Sequence, residues 1–357
     1  MDKKRQETLQ ALFASDEPLR PVMTSLNGDN SWLISFPRPS TERVALGKTY
    51  YHLVFEPWLA GPTSQISSWF IHISLSTPAA VPDAEAVEAV VDEIETAAAE
   101  RFADVKVARS RQPLDSSQEE YNGGVDAIFL GFHIVDHLHE PTLRLFNPQI
   151  PVIASADVAS MLKPWGHFKD IKTMRDLDGP IDTWRSIYIH PGDPIPSWLT
   201  AFRMPGHAFL NFCAAIIWTH TTEDGSEVHE VILESPHGTR LDEGPLQAFL
   251  DAEPPTQKLA MLHGLKESHT AGFKTTFGVK GGLALYRRVG GFKYWLLSHS
   301  SDLSYAGIFM RLLRTIDTQR TVSWGLEDER KGQEVDGEEL ETPQVVQVSN
   351  GDSFVLG

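Results

Sequence analysis

Apolar residues recur along the chain in short runs, and their spacing predicts most of its elements. Between residues 31 and 76, three runs rich in β-branched and aromatic residues (32–36, 50–55 and 69–74) read as strands, with turn signals at Asn27-Gly28-Asp29 and Gly61-Pro62. Residues 82–102 read as a helix: Pro82 lies near the first turn, and Asp83 and Glu85 sit at the positive end of the dipole. Val87, Val90, Val91, Ile94 and Ala98 follow at helical spacing. Residues 125–130 form an apolar run of the buried-strand type, followed by a histidine-rich loop and a further strand at 150–154.

The second half continues the alternation. Strands are expected at 184–190, 198–204, 209–220, 228–234 and 293–298, and helices at 244–252, 257–265 and 303–316, with the pairs Gly281-Gly282 and Gly290-Gly291 as turns. Residues 1–13 read as a short amphipathic helix. No low-complexity linker divides the halves, so the expected organisation is a helical extension over 1–21, one domain over 22–325 and an acidic tail over 326–357. The tail is drawn from composition: from Glu327 to Glu341 eight acids face only Arg330 and Lys331, a pattern of a solvated loop or tail.

A chain of 357 residues with 41% hydrophobic content can bury a sizeable core. Its net charge of -17 argues against nucleic acid, which is gripped by clustered lysine and arginine. The longest apolar stretches fall well short of the roughly 20 residues of a spanning helix. The N-terminus lacks the apolar core of a secretory signal, so no membrane partner and a cytoplasmic location are expected. Cys213, the one cysteine, lies in an apolar stretch and reads as an inert buried thiol. No Gly-x-Ser-x-Gly elbow supports serine-nucleophile catalysis, and neither glycine pair makes a nucleotide-binding loop.

The histidines carry more. Several of the fourteen stand where an apolar run ends: in the loop Phe132-His133-Ile134-Val135-Asp136-His137-Leu138-His139, and at Pro205-Gly206-His207, Pro236-His237-Gly238 and Ser298-His299-Ser300. Imidazole and carboxylate delivered from strand-end loops can converge on one divalent ion, a nitrogen and oxygen set that suits zinc. The plainer alternative makes each a hydrogen-bonded loop residue, with Asp136 pairing to His137 or capping a helix that starts near Pro141.

The order and surroundings of these residues resemble the metallo-β-lactamase superfamily, over roughly residues 22–313. Leu26-Asn27-Gly28-Asp29-Asn30-Ser31-Trp32-Leu33 looks like its opening strand, and Phe55-Glu56-Pro57-Trp58-Leu59 like the end of its second strand, where Asp is usual. Residues 125–130 look like the strand that delivers His-x-His-x-Asp-His. Aligned on Asp136-His137, the two leading histidines of that signature fall on Phe132 and Ile134, which bind no metal. His133 and His139 are out of phase with them, because one residue turns a strand-end side chain to the other face.

The resemblance implies an α+β fold, a four-layered αββα metallo-β-lactamase-like sandwich, with a degenerate active site. It implies metal ligands Asp136, His137, His237 and His299, with His237 standing where an Asp is general, and catalytic roles for Asp136 and His207. One zinc ion is the expected cofactor, with iron or no metal as alternatives. The implied function is hydrolysis of a small activated substrate such as a lactone, thioester or lactam. The other reading is a metal-free binding protein, or a lyase or isomerase moving protons with His and Asp.

Overall fold

The computed structural model describes residues 3–102, 121, 123–206, 210–239, 241, 244–332 and 341–357. The chain forms two compact units, one of Met1–Gly61, Thr77–Thr173 and Val348–Gly357, the other of Pro62–Ser76 and Met174–Gln347. Each is built of mixed sheet and helix.

The first unit holds a seven-stranded sheet in the order Ser353–Val355, Val22–Ser25, Trp32–Pro37, Tyr50–Phe55, Ala127–Leu130, Val152–Ala154, Ile171–Thr173. The first three pairings are antiparallel and the last three parallel. Parallel neighbours require a crossover. The one between Tyr50–Phe55 and Ala127–Leu130 includes helix Ala84–Arg101, whose start is capped by Asp83 accepting from the Ala86 N–H at 2.8 Å. Val87, Val90, Val91, Ile94 and Ala98, the five positions chosen by helical spacing, are all buried. The N-terminal helix Lys3–Ala14 is anchored by Arg5, which is buried, ion-paired with Glu93 at 2.7 Å and donates to the Gly351 carbonyl at 2.6 Å.

In the second unit, a six-stranded sheet runs Val345–Val346, Tyr294–Leu297, Gln257–His263, Glu227–Glu234, Phe212–Thr221, Leu199–Pro205. Helices Gly244–Asp251, Gly278–Arg288 and Val322–Gly332 belong to the same unit, and its core gathers Trp184, Phe202, Phe249, Tyr286 and Trp295. Two three-stranded sheets complete it: Phe273–Phe277, Glu267–Thr270, Thr315–Thr318, and Leu303–Ala306, Ile71–Leu75, Thr63–Gln65. Among the described residues no helix is long and apolar enough to cross a membrane. Cys213 is buried as expected, and burial pushes its thiol up to about 12.

The structure corrects several expectations. Residues 257–265 read as a helix, but Gln257–His263 is a strand between two parallel partners, with Leu259 to His263 all buried. A strand covered on both faces has no alternation to give it away. Residues 303–316 form strand Leu303–Ala306, helix Ile308–Leu313 and the start of strand Thr315–Thr318. The break falls at Gly307, where φ is 99° and a Cβ would stand 2.4 Å from the Phe70 carbonyl oxygen. Residues 184–190 make turns, with Trp184 buried and its indole N–H bonded to the Pro254 carbonyl. Gly281 and Gly282 lie inside helix Gly278–Arg288. A Cβ on Gly282 would be 2.3 Å from the Trp295 ring, so the missing side chain lets helix and sheet approach. The acidic stretch begins in helix Val322–Gly332, and the chain ends in a strand paired antiparallel with Val22–Ser25. Phe354, Val355 and Leu356 supply the apolar character that the composition of residues 327–341 concealed.

Glu95 ties helix Ala84–Arg101 to strand Tyr50–Phe55. Its carboxylate accepts from the Thr49 and Tyr50 N–H groups, both at 2.8 Å, and meets His52 Nε2 at 3.0 Å. Burial alone would raise this carboxyl, but the bonds from His52, Thr49 and Tyr50 outweigh it and hold the group below its ordinary value. A depressed folded value means stability present above the unfolded pKa and lost as pH falls through the folded one. Glu95→Gln is therefore expected to lower stability at pH 7 by about 2–4 kcal/mol. The variant should lose less than wild type between pH 4.5 and 3, about the range of an unperturbed glutamate and below, as read by urea unfolding at each pH.

Candidate functional site

In the first unit the signature loop folds over the end of strand Ala127–Leu130. His137 N and Leu138 N both bond the Ile134 carbonyl, a tight turn that points the His137 ring inward, where it is fully buried. His137 Nδ1 forms a short hydrogen bond with the Glu56 carboxylate. Glu56 is itself buried, accepts from Gly131 N at 3.0 Å and from Asn30 Nδ2 at 2.6 Å, and sits at φ 43°. A side-chain residue in the left-handed region carries backbone strain that its surroundings must hold.

With the carboxylate accepting, Nδ1 carries the proton and His137 is fixed in the tautomer whose Nε2 bears the lone pair. The 3.1 Å approach of Asn30 Nδ2 to His137 Nδ1 is then two donors meeting at one Glu56 oxygen. Asp136 Oδ2 lies 3.7 Å from His137 Nε2. Asp136 does not cap the following helix Glu140–Leu143, whose N-cap is His139.

Neighbouring histidines do other work. His133 pairs with Asp157, Nδ1 to Oδ2 at 2.6 Å, while His139 Nδ1 bonds Thr142 Oγ1 at 2.8 Å and its ring lies against Trp58. Thr142 Oγ1 also accepts from Leu59 N and Ala60 N, so this cluster ties two loops together. Phe132 is buried with its ring edge-on to His137 at 5.1 Å, an apolar wall where the resemblance has a histidine. His167 Nε2 donates to the Phe146 carbonyl at 2.9 Å.

The second unit presents His237 and His299 side by side, ring centroids 4.6 Å apart. His237 follows strand Glu227–Glu234. Its Nδ1 bonds Thr276 Oγ1 at 3.0 Å, and its carbonyl accepts from Phe277 N. Gly238, at φ 83°, has no room for a side chain: a Cβ would come within 2.8 Å of Phe277. His299 follows strand Tyr294–Leu297 and is buried at φ 54°, a second strained non-glycine residue. His207 lies outside the described residues.

One histidine that sequence reading passed over is His263, the last residue of strand Gln257–His263. It is wholly buried, donates from Nδ1 to the Gly264 carbonyl at 2.6 Å and stands edge-on to Trp295. Burial pushes its imidazole down to about 4, with the Gly264 bond opposing and nearby His299 adding to the shift, so it is neutral at physiological pH. Because its segment read as a helix, its place at a strand end was invisible.

No protein-family model matches this chain, and no curated protein does. Among solved structures it is similar to the isothiocyanate hydrolase from Delia radicum gut bacteria, at 12% identity and a TM-score of 0.50, over 94% of this chain and 98% of that one. It is also similar to a possible metal-dependent hydrolase from Veillonella parvula (10% identity, TM-score 0.49, 95% and 100% covered). A third is a metallo hydrolase from the hyperthermophilic archaeon Ignicoccus hospitalis (11% identity, TM-score 0.43, 94% and 97% covered). The first likeness shows a shared fold with that hydrolase.

Glu56→Gln puts an amide where three donors converge. One N–H must then face Gly131, Asn30 or His137, and a buried donor loses its acceptor, a cost of about 1–3 kcal/mol. The urea midpoint should fall accordingly. A variant as stable as wild type would show that the carboxylate does not organise this loop.

Proposed function

We propose that the protein is a hydrolase of metallo-β-lactamase-like architecture that uses one metal ion, with His137, His237 and His299 as its ligands and Asp136 beside His137. All three histidines are buried. The observation that carries the reading is the Glu56–His137 pair: a buried carboxylate taking the Nδ1 proton of an imidazole is the arrangement that fixes the tautomer of a metal-binding histidine and raises its basicity. Thr276 stands at Nδ1 of His237 in the same sense. Three neutral imidazoles with a position left for water suit zinc, and a ferrous ion has the same taste for nitrogen and carboxylate.

Two features support one ion rather than two. Phe132 fills with its ring the place where the resemblance has a ligand, and His237 is a neutral imidazole where a shared anionic carboxylate would draw in a second cation. A metal so held supplies a bound water of pKa near 7 and an electrophilic contact for the scissile group. The chain's own groups do the remainder. Glu56 holds His137 in register, Phe132 excludes water from one side, and Asp136, with an oxygen near His137, takes the proton shed when water attacks. His207 is the proposed second catalytic group, whose imidazole would steady the developing charge on the substrate.

With one ion there is no second cation to stabilise a leaving oxygen, which favours substrates that need none: a lactone, thioester or lactam. The isothiocyanate group is another, since its central carbon takes up water directly. A small-molecule substrate of this activated class is the proposed partner.

Protein purified without chelator is expected to carry close to one equivalent of zinc or iron by elemental analysis and to hydrolyse at least one member of a panel of lactone, thioester, lactam and isothiocyanate substrates. His299→Ala should lose the metal and the activity while unfolding at nearly the wild-type temperature, since a loop imidazole adds little to the core. Metal-free wild type that is no less active than metal-loaded protein would replace this reading with proton transfer by His and Asp.

A further inference from the structure

His299 owes its place to a segment that has no ligand of its own. The turn His263–Lys266 lies under the loop that bears it, and three successive residues grip that loop. Gly264 packs so tightly that a Cβ there would stand 2.9 Å from the carbonyl oxygens of both Ser298 and His299. Leu265 N donates to Ser300 Oγ at 2.8 Å. Lys266, only 2% exposed, sends its ammonium to the Ser301 carbonyl at 2.9 Å. Gln319 Nε2 also donates to the Ser300 carbonyl, at 2.9 Å.

We propose that Lys266, backed by Gly264, is the positioning residue for His299: its buried ammonium fixes the Ser301 carbonyl and so holds His299 in the left-handed conformation that aims its ring beside His237. The inference rests on the reading of His299 as a metal ligand. A cation sunk this deep is an expensive way to fill space, and a methionine of similar length would fill it without the loss of hydration. Asp317 stands 3.8 Å from the ammonium and is itself engaged by the Tyr305 hydroxyl at 3.0 Å, so the Ser301 carbonyl is the closer partner. His299 at φ 54° needs such a hold, because a residue with a side chain leaves that region unless its neighbours over-determine it. A metal ligand held in advance loses less freedom on binding.

The test pairs zinc affinity, by competition with a chromophoric chelator, with the carbon-13 NMR signal of the His299 ring, on the full chain. Lys266→Met is expected to weaken zinc binding 10- to 100-fold and to broaden the His299 signal, and Lys266→Arg, which still donates to Ser301, to restore most of both. Tyr305→Phe, which disturbs Asp317 but not the loop, should leave zinc affinity within twofold of wild type. Wild-type zinc affinity in Lys266→Met, or no recovery in Lys266→Arg, overturns the proposal. If wild type binds no zinc, the metal reading fails while the NMR arm still decides: a His299 signal broadened by Lys266→Met supports positioning, and one unchanged refutes it. Should Lys266→Met not fold, Ser300→Ala, which removes the acceptor of Leu265 N, is read by the same two measurements.

Discussion

A carboxylate in the interior is tolerated only where donors surround it, and Glu56 is so surrounded: Gly131 N, Asn30 Nδ2 and His137 Nδ1 all point at its two oxygens. This one acid connects three segments of the first unit. Asn30 belongs to the turn before strand Trp32–Pro37, Glu56 follows strand Tyr50–Phe55, and Gly131 and His137 belong to the loop after strand Ala127–Leu130. Each of those strands is buried along its whole length, so their ends are positioned by the core and the polar cluster is assembled on a rigid base. Strain at Glu56, with φ 43°, is the local cost of turning the carboxylate toward the loop.

The second unit uses the same device with different chemistry. His237, His263 and His299 follow or end parallel strands of one sheet, and each is pinned by a specific neighbour: Thr276 for His237, the Gly264 carbonyl for His263, the 263–266 turn for His299. Glycines appear where two backbones or a backbone and a ring must touch, at Gly238 against Phe277 and at Gly264 against the His299 loop. A packed sheet thus delivers imidazoles with little freedom, and small residues let the supporting turns come close.

Much of this was legible in the sequence, for identifiable reasons. Helix Ala84–Arg101 announces itself through an Asp cap and five apolar residues at one spacing, and the strand-end histidines stand out because apolar runs stop so sharply before them. Other features depend on contacts that spacing does not encode. Strand Gln257–His263 is apolar on both faces and so has no period, which hid His263 as well. Gly281-Gly282 looks like a turn until Trp295 is seen against Gly282. Glu56 was visible as a residue of a familiar-looking strand end, but its partnership with a histidine 81 residues away exists only in the fold.

The account turns on a metal being single and being held by His137 through the nitrogen that Glu56 leaves with its lone pair. The most direct measurement is an anomalous difference map at the zinc edge from crystals of the zinc-loaded protein. The account predicts one peak, at about 2.0–2.1 Å from Nε2 of His137. Two peaks some 3.5–4 Å apart, or one peak remote from His137, would contradict it.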